Sequence, residues 1–171
     1  VIENETSSFS IILNTESGER VILYSTGANA HLHDATFDTN EARHADWIYF
    51  NHIHEKSCVI EDDIVAILSE YPRVGMTWNP GGRQLKKGMD DAGNAALLRR
   101  TGLLLLNKEE AVAFTGKQDA ATAIRSLLRA GAAHVCITDG GNGCLASDGR
   151  SLYACPAVQD APVVDSTGAG D

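Results

Sequence analysis

From Trp47 onward the chain alternates short apolar runs with stretches of helical period, and few folds accept that pattern. Trp47-Ile48-Tyr49-Phe50 reads as a strand. From Ile60 to Tyr71 apolar residues fall at Ile60, Ile64, Ile67 and Leu68, the spacing of one helix face. Val74 to Trp78 is the next strand, stopped by Asn79-Pro80-Gly81-Gly82. A helix around Asp91 to Arg100 leads to a strand at Leu103 to Leu106, and a helix through Glu109 to Phe114 is closed by Gly116. Ala120 to Arg129 is a further helix, capped by Gly131, and His134 to Thr138 a further strand. Such alternation implies right-handed crossovers and a mainly parallel sheet covered on both faces. Ligands of these sheets bind at the carboxyl ends of the strands. Asn79, Asn107 and Gly140 all follow strands in this way.

Ahead of this region the pattern has period two. Phe9, Ile11 and Leu13 point one way and Ser10 and Ile12 the other; Thr15-Glu16-Ser17-Gly18 forms a turn, and Val21 to Tyr24 returns as the second strand of a hairpin. There is no internal repeat and no low-complexity linker. With 171 residues and 43% hydrophobic content, the chain suffices for one compact domain with a core.

Charge and composition remove several function classes. A formal net charge of -9 argues against a nucleic-acid binder, which needs basic patches to displace counterions from phosphates, but is compatible with holding one nucleotide. No apolar run approaches the roughly 20 residues of a spanning helix. The start, Val1-Ile2-Glu3-Asn4-Glu5, lacks the basic and apolar regions of a signal peptide, so a cytoplasmic location is expected. Cys58, Cys136, Cys144 and Cys155 show no metal-ligand spacing, and buried free thiols in a reducing compartment are expected of them.

The strongest chemical signal is the segment Val163-Val164-Asp165-Ser166-Thr167-Gly168-Ala169-Gly170-Asp171. A β-branched strand runs into small residues, which let the backbone approach a ligand, and ends on a carboxylate. Successive amides at the start of a helix bind anions. A carboxylate beside an anion site fits a base that takes a hydroxyl proton while the amides hold a transferring phosphoryl group. The plainer account is a glycine-rich loop with Asp171 capping the next helix. Asn107-Lys108-Glu109-Glu110, at a strand-to-helix junction, has oxygen donors suited to hydrated magnesium and equally the spacing of a capping box. Thr138-Asp139-Gly140-Gly141-Asn142-Gly143 is a glycine-rich turn after a strand, with Gly143 to Ser147 as the partner strand of a hairpin.

Taken together and in this order, these segments resemble the PfkB (ribokinase-like) family of carbohydrate kinases. Asp165 to Asp171 is similar to the family's D-T-x-G-A-G-D signature, Asn107 to Glu110 to its N-x-x-E motif, and Thr138 to Gly143 to its T-x-G-x-x-G loop. Gly18 to Ile22 followed by Gly27-Ala28-Asn29 resembles a lid hairpin leading to a G-A-N turn, and Asn79-Pro80-Gly81-Gly82-Arg83 an N-P segment of the family. The resemblance implies a three-layer α/β/α fold with a mainly parallel sheet and part of a small β lid, residues 6–24 forming the lid and 25–171 the core. It implies ATP-dependent phosphorylation of a hydroxyl on a sugar or related small alcohol. Asp171 would be the general base, and Gly168, Ala169 and Gly170 the anion hole. Asn107 and Glu110 would organise Mg2+ through water, with Thr138, Gly140 and Gly143 bordering the nucleotide. Asp165 and Thr167 would hold a monovalent cation such as K+, and Asn51, ending a strand, would contact the acceptor. A homodimer through the lid is the assembly it suggests. Family members are longer on both sides, so these 171 residues read as an internal piece, inactive alone, without the upstream sugar-binding and downstream adenine-binding parts.

Other readings stay beside this one. A nucleoside kinase of the same family and a non-catalytic kinase-like sugar-binding protein share the motifs. A dinucleotide oxidoreductase would need G-x-G-x-x-G after the first strand, and a P-loop kinase G-x-x-x-x-G-K-[ST]; neither occurs. His31-Leu32-His33 and His52-Ile53-His54 lack a third metal ligand and read as polar histidines near strand ends. Arg83, Lys86 and Lys87 read as a solvated basic helix face, or as charge available to phosphate.

Overall fold

The computed structural model describes residues 3–14, 20–34, 39–51 and 60–158. Two sheets result. Strands β1 (Phe9–Asn14) and β2 (Arg20–Ser25) form an antiparallel ribbon with Ile11 opposite Leu23 and Ile12 opposite Ile22. A 3-10 helix, Gly27–Asp34, follows the ribbon. Gly27 has φ +44, and a Cβ there would collide with the backbone of Thr6 and Ser7, so only glycine fits where the chain folds back on itself. Ala28 N donates to Thr6 O at 2.8 Å, and Asn29 Nδ2 reaches Ser8 Oγ at 3.0 Å, fastening this turn to the ribbon.

The second sheet has six strands in consecutive order: β3 (Trp47–Asn51), β4 (Gly75–Asn79), β5 (Leu103–Asn107), β6 (His134–Thr138), β7 (Cys144–Ser147) and β8 (Leu152–Cys155). The first four are mutually parallel and the last two antiparallel. Between them lie α1 (Thr39–Ala42, before β3), α2 (Ile60–Glu70), α3 (Gly82–Lys87), α4 (Ala92–Leu98), α5 (Lys108–Thr115) and α6 (Ala120–Ala130). The alternation expected from the sequence is present, with bounds shifted by one or two residues. β8 and the short helix α1 were not legible beforehand. The expected turn at Thr15 to Gly18 and strand at Val163-Val164 lie outside the described residues.

Local signals set the helix ends. Asp119 accepts the Thr122 amide at 2.8 Å to start α6, and Gly131 at φ 119 ends it. Asp91 caps α4 through the amides of Gly93 and Asn94.

Consecutive strand order combined with right-handed crossovers carries every connecting helix to the same side of a sheet. Burial follows that rule. Ile48, Phe50, Met76, Trp78, Leu104, Leu106, Val135 and Ile137 are buried, together with Ile64, Leu68, Leu97, Phe114, Ile124 and Leu127 of the helices. Trp78 anchors this core, stacked on Phe50 at 6.3 Å and edge-on to Phe114 at 5.9 Å. The alternate residues Trp47 and Tyr49 remain 55% and 60% exposed. Among the described residues, then, helices cover one face, whereas the alternation alone led us to expect both.

The same geometry corrects the expectation of buried thiols. Cys136 and Cys144 are half-buried and Cys155 is exposed, because all three fall on the face opposite the helices or on the uncovered β7–β8 edge. They are free, and burial raises the Cys136 thiol above its ordinary range, with Cys144 adding to the effect. Cys58 lies outside the described residues. No described helix is long and apolar enough to cross a membrane.

Candidate active site

Strand pairing places the candidate polar residues together. Asn51 lies opposite Asn79, Thr77 opposite Leu103, and Asn107 opposite Thr138. Because side chains alternate along strands, Asn51, Asn79, Asn107 and Thr138 all project on the face away from the helices, each at its strand's carboxyl end. The described β4–β5 register ends at Trp78 opposite Leu104, and beyond it the Asn79 side chain donates through Nδ2 to the Leu105 carbonyl at 2.9 Å. Asn51 is exposed.

At the β5–α5 junction Asn107 Oδ1 accepts the Glu110 amide at 2.8 Å, and Glu110 Oε2 accepts the Asn107 amide at 2.9 Å. The capping box allowed by the spacing is thus formed. It does not exhaust the donors: the second carboxylate oxygen of Glu110 belongs to a half-exposed side chain at a helix N-terminus. An oxygen-only donor set at an exposed edge fits a hydrated Mg2+ held through its waters.

The loop after β6 is compact. Asp139 N donates to Gly143 O at 2.7 Å, Asn142 N to Asp139 O at 2.9 Å and Gly143 N to Gly140 O at 3.0 Å. Gly143, at φ +85, is pressed against the Cys155–Ala157 backbone so closely that a Cβ has no room. Lys108 Nζ reaches Asp139 Oδ2 at 2.8 Å, and that hydrogen bond holds the Asp139 carboxyl below its usual range. A recess lined by Ala120, Ile137, Asp139, Asn142 and Leu145 opens beside this loop. Lys108 and Asp139 were not singled out from the sequence. Their positions inside the two motifs were visible, but no spacing rule joins residues so far apart.

Of the basic cluster, Lys86 and Lys87 are exposed on α3 as a solvated helix face requires, and Arg83 departs from that reading. Arg83 is ion-paired with Glu61 of α2, with side chains only 20% and 16% exposed, so it is neither a solvated helix face nor a free cation. Gln84 also donates to Glu61 and accepts the Gly81 amide at 2.9 Å, which fixes the turn after β4. Lys87 lies 3.8 Å from Asp91. His31 faces Glu5 at 3.6 Å, and no group of three metal-ligating side chains occurs among the described residues. His52 to His54 lie outside them, as do Asp165, Thr167, Gly168, Ala169, Gly170 and Asp171.

A mainly parallel sheet with oxygen donors and a glycine loop at its carboxyl edge defines an α/β protein, and in such sheets that edge is where ligands bind. The model of the pfkB family carbohydrate kinases matches residues 1–171, and the chain belongs to that family. None of the curated proteins compared with it matches. Among solved structures it is similar to Arabidopsis thaliana ribokinase complexed with ribose and ATP (21% identity, TM-score 0.72, 98% of this chain and 54% of that one). It is similar too to the adenosine kinase of Sinorhizobium meliloti (22%, 0.72, 96% and 51%). A third is an E. coli protein described as ribokinase II, in complex with ATP and Mg2+ (17%, 0.76, 98% and 55%). At these identities the likeness establishes the ribokinase-like fold. The chain spans about half the length of each of these structures.

Proposed function

We propose that the protein containing these residues transfers the γ-phosphoryl group of ATP to a hydroxyl of a sugar or related small alcohol. The observation that carries this reading is the row Asn51, Asn79, Asn107 and Thr138 on one face at the carboxyl edge, flanked by the Glu110 carboxylate and the Thr138–Gly143 loop. When bound, MgATP supplies the phosphoryl group to be transferred. Asn107 and Glu110 would hold its metal through water, and the Glu110 oxygen outside the capping box would be the one available for this. Thr138, Gly140 and Gly143 border the nucleotide, where glycines leave room for close approach. Asn51 contacts the acceptor. Asp171 would take the acceptor's hydroxyl proton as that oxygen bonds to the γ-phosphorus and the bridging P–O bond to ADP breaks, and the amides of Gly168, Ala169 and Gly170 would receive the charge on the transferring group. By the resemblance to the family's signature, Asp165 and Thr167 would hold a monovalent cation such as K+. The location is cytoplasmic.

Within the family, a nucleoside acceptor is the second reading, supported by the likeness to an adenosine kinase. A coupled ADP-release assay of the full-length protein over a panel of sugars and nucleosides decides between them. Nucleotide binding with no turnover on any acceptor would favour the non-catalytic reading instead.

Residues 6–24 act as a lid over the acceptor in this reading. The ribbon is apolar on both faces, with Phe9, Ile11, Leu13 and Leu23 against Ile22 and Tyr24, each 50–55% exposed. A two-stranded ribbon needs partners for such surfaces. One face closes on the acceptor and the other pairs with a second copy, so sedimentation of the full-length protein is expected to give a dimer that Ile22→Glu dissociates.

A further inference from the structure

Lys108 is the first residue of α5, where the unpaired amides already carry positive character, so a lysine there works against the helix dipole. Capping gives no reason for it, since Asn107 and Glu110 complete the cap between themselves. The ammonium leans across to Asp139 instead, at 2.8 Å, with the two side chains 44% and 33% exposed. Asp139 in turn stands before the 3-10 turn Gly140–Asn142 without capping it through its side chain. The Lys108 charge is therefore used between elements, while the Asp139 carboxylate serves both Lys108 and Asn142 of its own loop.

The loop's internal hydrogen bonds fix its shape but not its distance from the β5–α5 junction. The β5–β6 ladder stops at Asn107 opposite Thr138, one residue short of both Lys108 and Asp139. Beyond that rung the ion pair bridges the two segments, whose residues are 31 positions apart.

Resting on the phosphotransferase reading above, we propose that Lys108 and Asp139 are a positioning pair. It holds the nucleotide-bordering loop Thr138–Gly143 at a set distance from the metal-organising Asn107 and Glu110, so that nucleotide and metal are bound as one unit. The pair makes an unusual demand of electrostatics. Asp139 places a negative charge beside a site for a polyanion, and Coulomb's law alone says its removal improves binding. A positioning role requires the opposite sign.

The test is isothermal titration of the full-length protein with Mg2+ and a non-hydrolysable ATP analogue, in Asp139→Asn, Lys108→Gln and the exchanged pair Lys108→Asp/Asp139→Lys. Each single substitution is expected to weaken analogue binding about five- to tenfold, in the range of coupled charged neighbours. KM for ATP rises accordingly, with kcat and acceptor affinity nearly unchanged, and the exchanged pair recovers most of the loss. Equal or tighter binding by Asp139→Asn overturns the proposal. Weakening by Lys108→Gln together with tightening by Asp139→Asn also overturns it, and marks Lys108 as a direct phosphate contact. A drop in thermal midpoint with unchanged affinity reduces the pair to a structural bridge. Failure of the unsubstituted protein to bind the analogue is a separate result, and sinks the phosphotransferase reading itself.

Discussion

The carboxylate of Glu110 accepts the amide of Asn107 at 2.9 Å while the side chain of Asn107 accepts the amide of Glu110 at 2.8 Å, so each residue caps the other. The two proposed metal-organising residues are thereby fixed by the helix they begin. In the proposed reading a structural role and a metal-organising one fall on the same two residues, through different oxygens of Glu110, and substitutions can separate them.

Glu110→Gln keeps a carbonyl that can accept the Asn107 amide but removes the charge. The expected outcome is a higher Mg2+ concentration for half-maximal rate, with the thermal midpoint nearly unchanged. Asn107→Ala removes the cap itself and is expected to cost about 1 kcal/mol of stability. A Glu110→Gln protein with unaltered Mg2+ dependence and lowered stability would show that the box is only a cap.

Asp171→Asn in the full-length protein preserves shape but cannot take a proton. Turnover is expected to fall by about 10²–10⁴-fold, the usual cost of losing a positioned base. Titration with ATP and Mg2+ should give an affinity close to that of the unsubstituted protein. Near-normal turnover would remove Asp171 from the mechanism.

Acid sensitivity should trace to named hydrogen bonds. The Asp119 carboxyl is held below its ordinary range chiefly by the Thr122 amide, and that of Asp148 by the amides of Ser151 and then Arg150. A carboxyl depressed in the folded state stabilises fully above its unfolded pKa of about 3.9, and that contribution is lost as pH falls through the lower folded value. Asn is as good an N-cap as Asp. Asp119→Asn should therefore leave the urea midpoint near neutrality almost unchanged and flatten its decline below about pH 4. An unchanged acid limb in this variant would contradict the assignment.

Trp78 is 1% exposed between Phe50 and Phe114. Its replacement by Ala leaves a large cavity and is expected to cost about 3–5 kcal/mol. Tyr49→Ala, one strand away but 60% exposed, should cost far less in the same denaturation experiment.

Sequence alone determined the kind of architecture, because periodicity is a local property. Two-residue alternation in Phe9 to Leu13 marks a strand, and helical spacing in Ile64, Ile67 and Leu68 states which side of that helix is apolar. The caps at Asp119, Asn107 and Gly131 are likewise made by residues within a few positions of one another. The motifs at Asn107 to Glu110 and Thr138 to Gly143 were legible for the same reason, each being a short segment at the end of a described strand. What the sequence could not fix were relations across the chain. Strand order decided that the described helices share one face, leaving Trp47, Tyr49 and Cys136 on the other. Only tertiary packing gave Arg83 to Glu61, joined Lys108 to Asp139, and set Asn51, Asn79, Asn107 and Thr138 in one row. An ion pair or a strand register between distant residues leaves no periodic trace, because the chain between them has no need to keep a fixed length.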